Sequence, residues 1–518
     1  MPILAWKDII PAPLSQESTP FRSVNSISST IGSRNSPNIS PLLLPPPLNT
    51  SKKTTTRKKL LRTFSRTVKS SPKLAALMGR LCNGDSGTCL TFGQYVKPTK
   101  KLFNNFTNFE YAQPNMHPIG SPSANGFVYE IAYEHHGLRA HTILKCSSPP
   151  PSSEYDIDSL YYEYLVGHWF VNQCNQQFPC FLETYGAYHM TDPRLVHTLA
   201  TLAKNKRDYP ITNVESSIKR FKAVHRTEDA AQQMRISCEQ QFNLCILIQH
   251  IRASYSMKSH FDLRYQDKNY YYYELPQLLY QVYAPLALLG DTFTHYDLHR
   301  DNVLLFNLGA TQYIEMRYVY PSEPEDIIVS FKTHLICKII DYGRSYFYAN
   351  RNINSETVRT QVCKECIDRK HPENTCGSYN GYSWLDPSVS PSELKERFYV
   401  MSSRANTSHD LRLMNEFKRD AKRPKDLPCW MTEIFNNLYY EDKYGTPEHT
   451  SSSSPSDSNV IYNVTDATIQ LGHMLLDPGF VAANNKFYGH ATSVGTLTIY
   501  MDSSRKSMKF DPIPFNLI

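Results

Sequence analysis

Two short stretches of the chain carry residue types and spacings that suit phosphoryl transfer. In the first, Asp297 follows His295 by two residues, and Asn302 stands five residues further along. In the second, about 40 residues later, Asp341 precedes Gly343 by two residues. One carboxylate can orient an attacking hydroxyl and receive its proton, while an amide and a second carboxylate can ligate Mg²⁺, a hard cation that prefers oxygen. We therefore assign Asp297 as the candidate base and the other two side chains as candidate metal ligands.

Such a site also needs a cation for the phosphates of the nucleotide. Lys145 lies in the β-branched and apolar run 142–146, which predicts a strand. Glu163 lies in a stretch, residues 159–171, with apolar groups at helical spacing, and could hold Lys145 toward the nucleotide. The alternatives are a solvated strand lysine and a solvated helix glutamate, and Glu154 is the other glutamate candidate.

Strand patterns on both sides of Lys145 predict the rest of a nucleotide site. A glycine-bearing turn between two strands is expected to cover the phosphates through backbone amides, although two glycines make this a weak signal; its residues are Gly120, Gly126 and Val128. The apolar run 242–251 predicts a buried strand.

These motifs resemble those of a known superfamily. His295-Tyr296-Asp297 with Asn302, followed by Asp341-Tyr342-Gly343, is similar to the catalytic and metal-binding motifs of protein kinases. The stretches 294–299 and 340–344 look most like the serine/threonine kinases of large nucleocytoplasmic DNA viruses. The resemblance covers roughly residues 117–515. It implies ATP-dependent phosphorylation of Ser/Thr hydroxyls on protein substrates, with Mg²⁺ or Mn²⁺ as the metal.

The resemblance also implies a fold and further roles. The strand at 242–251 would lead into the hinge, where backbone groups of three residues are expected to meet the purine: Gln249, His250 and Ile251. The fold class is α+β and bilobal, with a small β-rich N-lobe over residues 117–252 and a larger, mostly helical C-lobe over 253–518. A polar stretch at about 189–240 is expected to be an insertion in the N-lobe. Three residues would act structurally, namely His295, Gly343 and Asp410, the last of which resembles the buried aspartate that anchors the catalytic loop; a polar surface aspartate is the alternative.

Departures from the protein-kinase pattern leave the acceptor open. Tyr296 stands where most protein kinases have Arg, so regulation through a phosphorylated loop paired with that Arg is not supported. His299 stands where Ser/Thr kinases usually have Lys, and a His there is common in aminoglycoside and choline kinases. Arg300 could supply positive charge instead. The alternatives are therefore a small-molecule kinase and a nucleotide-binding pseudokinase scaffold.

A cysteine-rich stretch follows the metal-binding motif. Cys363, Cys366, His371 and Cys376 have the spacing C-x2-C-x4-H-x4-C, which is that of a zinc knuckle with three thiolates and one imidazole. The glycines and aromatic residues usual between knuckle ligands are absent. Free thiols are therefore favoured, with Zn²⁺ as the alternative.

The N-terminal part of the chain differs in composition from the rest. Residues 1–110 carry a net charge of +12, whereas the remainder carries −5. Residues 1–73 are rich in Ser, Pro and Thr and predict a disordered basic tail, which is either solvated or in contact with nucleic acid or an import factor. In the transitional segment 74–116, three phenylalanines at helical spacing are expected to dock on the body: Phe103, Phe106 and Phe109.

Composition bounds the cellular setting. Twelve Cys in 518 residues do not form a dense disulfide framework, and no signal peptide is recognised at the N-terminus. No apolar run approaches the roughly 20 residues needed to span a bilayer, so no transmembrane segment is expected. We expect an intracellular protein, in the cytoplasm or nucleus of a host cell and with packaging in a virion left open.

Overall fold

The computed structural model describes much of the chain between residues 100 and 512. The described ranges are 100–101, 103–106, 109–123, 126–135, 138–147, 160–190, 192–210, 221–223, 244–251, 254–309, 311–357, 382–385, 398–401, 405–421, 427–440 and 459–512. Helices and strands are mixed, with several separate sheets. The described helices include none that is long and apolar enough to cross a membrane.

An antiparallel seven-stranded sheet forms the first part of the described chain. Its strands are β1 (Ala112–Ser123), β2 (Gly126–His135), β3 (Leu138–Ser147), β4 (Thr184–Met190), β5 (Tyr209–Pro210), β6 (Phe221–Ala223) and β7 (Leu244–Gln249). Their order across the sheet is β5-β1-β2-β3-β7-β4-β6. Lys145 of β3 pairs with Val128 of β2 on one side and with Ile246 of β7 on the other.

One face of this sheet is covered by a hydrophobic cluster. Burial alternates along β2, as expected of a strand with one face in the core. The segment before β1 adds Phe103, Phe106 and Phe109 to this cluster, which confirms that these side chains dock. The backbone over Asn104–Phe106 has φ values of 50, 55 and 58°, so the turn that carries these side chains is left-handed.

The helix that carries Glu163 packs behind the sheet. It is α1 (Leu160–Val166), which continues through a π-helical turn, Gly167–Val171, into Asn172–Cys174. Its end is fixed to β4, because the Asn172 side chain donates to the carbonyl of Thr184 at 2.7 Å and accepts from its amide at 2.8 Å. The next helix is α2 (Pro193–Lys204), where Asp192 caps the N-terminus by accepting from the amide of Arg194.

A second and larger hydrophobic cluster extends from α1, β4 and β7 into the remaining helices. These are α3 (Met257–Arg264), α4 (Leu275–Leu289), α5 (Arg412–Asp420), α6 (Cys429–Asn437), α7 (Val464–Leu475) and α8 (Pro478–Phe487). Helix α4 is buried almost all round, as its uniformly apolar sequence requires, and packs on α7. It leads directly into the candidate catalytic stretch.

The remaining described strands form four further sheets, two of which contain strands next to that stretch. Their strands are β8 (Tyr255–Ser256), β9 (Phe293–Thr294), β10 (Val303–Asn307), β11 (Gln312–Tyr320), β12 (Ile327–Thr333), β13 (Leu335–Ile339), β14 (Tyr346–Asn350), β15 (Ile353–Asn354), β16 (Tyr382–Leu385), β17 (Phe398–Met401), β18 (Thr492–Tyr500) and β19 (Lys509–Pro512). The sheet orders are β13-β10-β8, β12-β11-β18-β19, β15-β14-β9 and β16-β17. Val303 pairs with Ile339, and the Ile340 amide donates to the carbonyl of Asn302 at 3.0 Å. This register sets Asn302 beside the residue that precedes Asp341.

Two glycines of the first sheet allow a matched stability test. Gly126 has φ of +151°, and a Cβ atom there would overlap the carbonyl oxygen of Cys146 on β3, whereas Gly120 has φ of +68° with open space around it. We expect Gly120→Ala to cost about 1–2 kcal/mol of unfolding free energy through its left-handed backbone alone. Gly126→Ala should cost more, because β2 and β3 must also move apart. Urea denaturation of both variants measures the difference, and equal costs would contradict the close approach.

Candidate active site

The ammonium of Lys145 joins three elements. Its Nζ lies 2.6 Å from Oε2 of Glu163 on α1 and 3.0 Å from Oδ1 of Asp341 in the loop after β13. Burial alone would lower the pKa of Lys145, but the carboxylates of Asp341 and Glu163 outweigh it and raise that pKa. The Lys145 ammonium in turn holds the pKa of Asp341 below its usual range, against the opposing effect of burial. The charged forms of Lys145 and Asp341 are therefore favoured, and the ammonium lies between the carboxyl groups of Glu163 and Asp341.

The loop that carries Asp341 is held by the residue after it. Asp341 has a left-handed backbone, φ 68°, and its side chain is 45% exposed. The hydroxyl of Tyr342, a buried residue, donates to the carbonyl of Ile339 at 2.6 Å and accepts from the amide of Leu182 at 3.2 Å. The aromatic residue is thus fixed in the core while the carboxylate stays accessible.

Asn302 links the two motifs. Its side-chain Nδ2 donates to the carbonyl of Asp297 at 3.0 Å, and its own carbonyl accepts from Ile340 at 3.0 Å. An amide oxygen and the Asp341 carboxylate are consequently brought together on neighbouring loops. Both are hard oxygen donors, so this pair fits the ligand chemistry of Mg²⁺.

His295 acts as a fixed support in the catalytic stretch. Its Nε2 lies 3.0 Å from the carbonyl of Ile340, and its Nδ1 accepts from the amide of Asp297 at 3.3 Å. Burial lowers the pKa of His295. A neutral ring with its proton on Nε2 satisfies both contacts, so this side chain connects the two motifs without adding charge.

Asp410 anchors the same stretch through its backbone amides. Its two carboxyl oxygens accept from the amides of His295 at 2.7 Å and Tyr296 at 2.9 Å. Asp410 is buried, and burial raises its pKa to about 7. The side chain of Asn406 accepts from the amides of Ser408 and His409 and so caps the turn that leads into α5.

The raised pKa of Asp410 gives a pH-dependent stability test. An unfolded aspartate titrates near 3.9, so between about pH 4 and pH 7 the folded state binds more protons than the unfolded state. The stabilisation that comes from the raised pKa of Asp410 is therefore complete below about pH 4. It decreases as pH rises from about 4 to about 7 and is lost above that. We expect the free energy of unfolding of wild type minus that of Asp410→Asn to fall over this interval. Urea titrations at a series of pH values measure it.

The control for this test is Asp262→Asn, because Asp262 is an exposed aspartate on α3. Its difference from wild type should stay flat over the same interval. A flat or rising difference for Asp410→Asn would refute the assigned burial effect.

Tyr296, the residue in place of the usual Arg, faces the interior. Its φ is 59°, a left-handed value uncommon for an aromatic residue, and its side chain is fully buried. The ring meets His409 edge-on at a centroid distance of 5.0 Å. Tyr296 therefore serves the packing of the stretch.

Two arginines that the sequence reasoning missed contact the candidate base. Nη1 of Arg344 lies 2.7 Å from Oδ2 of Asp297, and Nη1 of Arg412 lies 2.8 Å from Oδ1. Nε2 of His299 lies 3.7 Å from Oδ1. Arg344 directly follows Gly343 and Arg412 stands two residues after Asp410, so proximity to the motifs was the available signal.

Arg300 does not supply positive charge on the acceptor side. It is a buried residue whose guanidinium pairs with Glu416 at 3.3 Å and with Asp420 at 2.6 Å. It also lies over the rings of Phe261 and Phe417, at 4.9 and 5.4 Å from their centroids. The expectation for Arg300 was wrong because two carboxylates on α5 and two aromatic faces hold it in the core.

The predicted nucleotide-covering residues flank Lys145. Gly126 begins β2 and Gly120 lies within β1, and Val128 is the cross-strand neighbour of Lys145. Of the predicted purine-contacting residues, Gln249 ends β7, and His250 and Ile251 follow it. The amide of Gln249 donates to the carbonyl of Glu183 at 2.8 Å, and the carbonyl of Ile251 accepts from the amide of Ser254 at 3.3 Å.

The predicted zinc ligands Cys363, Cys366, His371 and Cys376 lie outside the described residues. Within the ranges that the structure describes, no group of three or more His, Cys, Asp or Glu side chains could hold a metal ion. The described cysteines are free thiols, and five of the six are buried.

Comparison with known proteins adds a distant structural neighbour. A Plasmodium kinase domain known from a crystal structure is 11% identical, with a TM-score of 0.22, and the match covers 50% of this chain and 63% of that one. No protein-family model matches the sequence, and no curated protein matches it. A match with so low a TM-score does not establish a shared fold. The resemblance to viral kinases rests on the sequence motifs alone.

Proposed function

We propose that this chain is an ATP- and Mg²⁺-dependent phosphotransferase that acts on Ser/Thr hydroxyls of protein substrates. The observation that carries the proposal is the bridge from Lys145 to both Glu163 and Asp341, at 2.6 and 3.0 Å. The bridge gathers residues that are 196 positions apart in the chain at one point next to Asn302. In this proposal the seven-stranded sheet and α1 belong to the N-lobe of a kinase-like fold and the helices from α3 onward to its C-lobe, with the site between them.

The residues divide the work of the reaction. Lys145, oriented by Glu163, would bind oxygens of the ATP phosphates once they replace Asp341 as its partner. Asp341 and Asn302 would hold Mg²⁺, which neutralises charge on the phosphates when bound. Asp297 would orient the acceptor hydroxyl. A bond forms between the acceptor oxygen and the terminal phosphorus, the bond to ADP breaks, and the acceptor proton passes to the Asp297 carboxylate.

A small-molecule kinase is the second candidate. It is favoured by one observation, the imidazole of His299 at 3.7 Å from the Asp297 carboxylate. This is the residue type found at that position in aminoglycoside and choline kinases. The two candidates differ only in the acceptor that Asp297 would meet.

A panel of acceptors with ATP labelled on its terminal phosphate tests both. We expect label on Ser/Thr of protein or peptide acceptors and none without Mg²⁺. Label on aminoglycosides, choline or sugars, with none on any protein including the chain itself, would decide for the second candidate. Binding of ATP with no transfer to any acceptor would overturn both and favour a nucleotide-binding scaffold.

A further inference from the structure

Two guanidinium groups donate hydrogen bonds to the candidate base Asp297, one to each carboxylate oxygen. Nη1 of Arg344 meets Oδ2 of Asp297 at 2.7 Å, and Nη1 of Arg412 meets Oδ1 at 2.8 Å. The two donors are therefore spaced to hold an anion with two adjacent oxygens, the geometry of a carboxylate or a phosphate. The Asp297 side chain is 7% exposed, whereas those of Arg344 and Arg412 are 22% and 20% exposed. Solvent, and hence a ligand, can reach the arginines more easily than the carboxylate they hold.

Asp297 is a close carboxylate partner of both arginines. Glu416 is a further acidic neighbour of Arg412, and its Oε1 lies 3.7 Å from Nε. The second oxygen of Glu416 is occupied by the backbone amide and Nε of Arg300. Both guanidinium groups thus contact the same carboxylate, beside the position where an acceptor would bind.

This arrangement constrains the acceptor in the proposed reaction. A hydroxyl must come within about 2.6–3.2 Å of an Asp297 oxygen, yet each of these oxygens already accepts from a guanidinium. An acceptor that brings its own anion can take over one guanidinium as it approaches. The carboxylate is then released for the hydroxyl, and no partly buried charge loses its partner.

We propose that Arg344 and Arg412 form an anion-binding subsite for the acceptor, so that the substrates are Ser/Thr residues in acidic or phosphorylated sequences. The inference rests on the proposed function. One hydrogen bond joins the hydroxyl to Asp297 and another joins Asp297 to each arginine, so the anion lies within roughly 6 Å of the acceptor oxygen. Consecutive Cα atoms are about 3.8 Å apart, which puts the Asp, Glu or phosphorylated residue one or two positions from the acceptor.

Matched peptides test the subsite. Each pair has one acceptor Ser and differs only by Asp or Asn, or by phosphoserine or alanine, at the adjacent positions. We expect wild type to favour the anionic peptide by about tenfold or more in kcat/KM, the effect of one charge-assisted hydrogen bond. In Arg344→Gln and Arg412→Gln this ratio should fall toward one, mainly through slower reaction of the anionic peptide. The Lys variants should restore part of the ratio, because they keep the charge and lose the planar fork.

Arg419→Gln is the matched control, since Arg419 is an exposed arginine on the same helix, α5. It removes one positive charge as well, and its ratio should equal that of wild type. A wild-type ratio near one would overturn the subsite. Equal slowing of both peptides by the Gln variants would also overturn it, because the arginines would then serve only Asp297 or the transferred phosphoryl group.

Peptide binding keeps this inference separable from the proposed function. If wild type transfers no phosphate to any acceptor, the proposed function fails, and the subsite is judged from dissociation constants of the same peptides by fluorescence anisotropy. Tighter binding of the anionic peptide that is lost in Arg344→Gln and Arg412→Gln, with Arg419→Gln unchanged, supports the subsite. Equal binding of both peptides by wild type overturns it. Transfer only to small anionic acceptors such as sugar phosphates would place the anion on a small molecule and overturn the peptide assignment.

Discussion

Replacement of Asp297 by Asn should lower kcat for phosphoryl transfer by roughly a hundredfold to ten-thousandfold. An amide of the same shape keeps an oxygen for one of the two arginines but cannot receive the acceptor proton. Lys145, Glu163 and Asp341 are untouched by the change, so the dissociation constant for ATP should stay within about twofold of wild type. Steady-state transfer to a Ser-containing acceptor gives kcat, and equilibrium titration with ATP gives the affinity.

The control for this variant is Asp301→Asn in the same loop. Asp301 is 52% exposed and pairs only loosely with Lys258, at 3.6 Å. Its kcat should match that of wild type. Equal activity in Asp297→Asn and wild type would refute the assignment of the base.

Replacement of Asp341 by Asn should weaken Mg²⁺ binding at the site and slow phosphoryl transfer. Loss of a residue that merely supports a metal ligand costs about 10–100-fold in metal affinity or activity, so loss of a direct carboxylate ligand should cost at least about a hundredfold in kcat/KM. The variant also takes from Lys145 the carboxylate that contributes most to its raised pKa, while Glu163 remains at 2.6 Å. Titration of transfer rate and ATP affinity against Mg²⁺ measures the change.

Asp326→Asn controls for the loss of one negative charge, because Asp326 is exposed and lies in the turn between β11 and β12. Its Mg²⁺ titration should superimpose on that of wild type. If the Mg²⁺ titration of Asp341→Asn also superimposed on that of wild type, the assignment of Asp341 as a metal ligand would be wrong.

The sequence was most informative where a motif is local. His295, Asp297 and Asn302 are close in the chain, and the contacts of Asp297 with the other two residues are short-range consequences of a turn. The strand that carries Lys145 and the helix that carries Glu163 were readable because apolar side chains recur with the periods of a strand and a helix. The contact between these two side chains required only that the helix pack on the sheet.

The contacts that two arginines make with carboxylates far away in the chain could not be predicted from the sequence. Arg412 meets a carboxylate 115 residues away, and nothing in its neighbourhood in the sequence marks which acidic group it will reach. Arg300 was expected on the acceptor side, but the carboxylates of α5 and two aromatic rings hold it inside. A charged side chain carries no periodic signal, so its partner is decided by tertiary packing.

Backbone conformation at two places also escaped prediction. The left-handed backbone of Tyr296 depends on amide contacts to Asp410, which is 114 residues away. Phe103 and Phe106 bury their rings as the spacing suggested, yet the turn between them is left-handed. Aromatic burial is satisfied by either hand of turn, so the hydrophobic pattern could not distinguish the two.

Mass spectrometry of the protein after incubation with Mg·ATP, alone and with generic protein acceptors, tests the central claim most directly. We expect site-resolved phosphoserine or phosphothreonine with wild type, and none with Asp297→Asn under the same conditions. ATP bound at the site with no phosphorylated residue on the chain or on any acceptor would contradict the account.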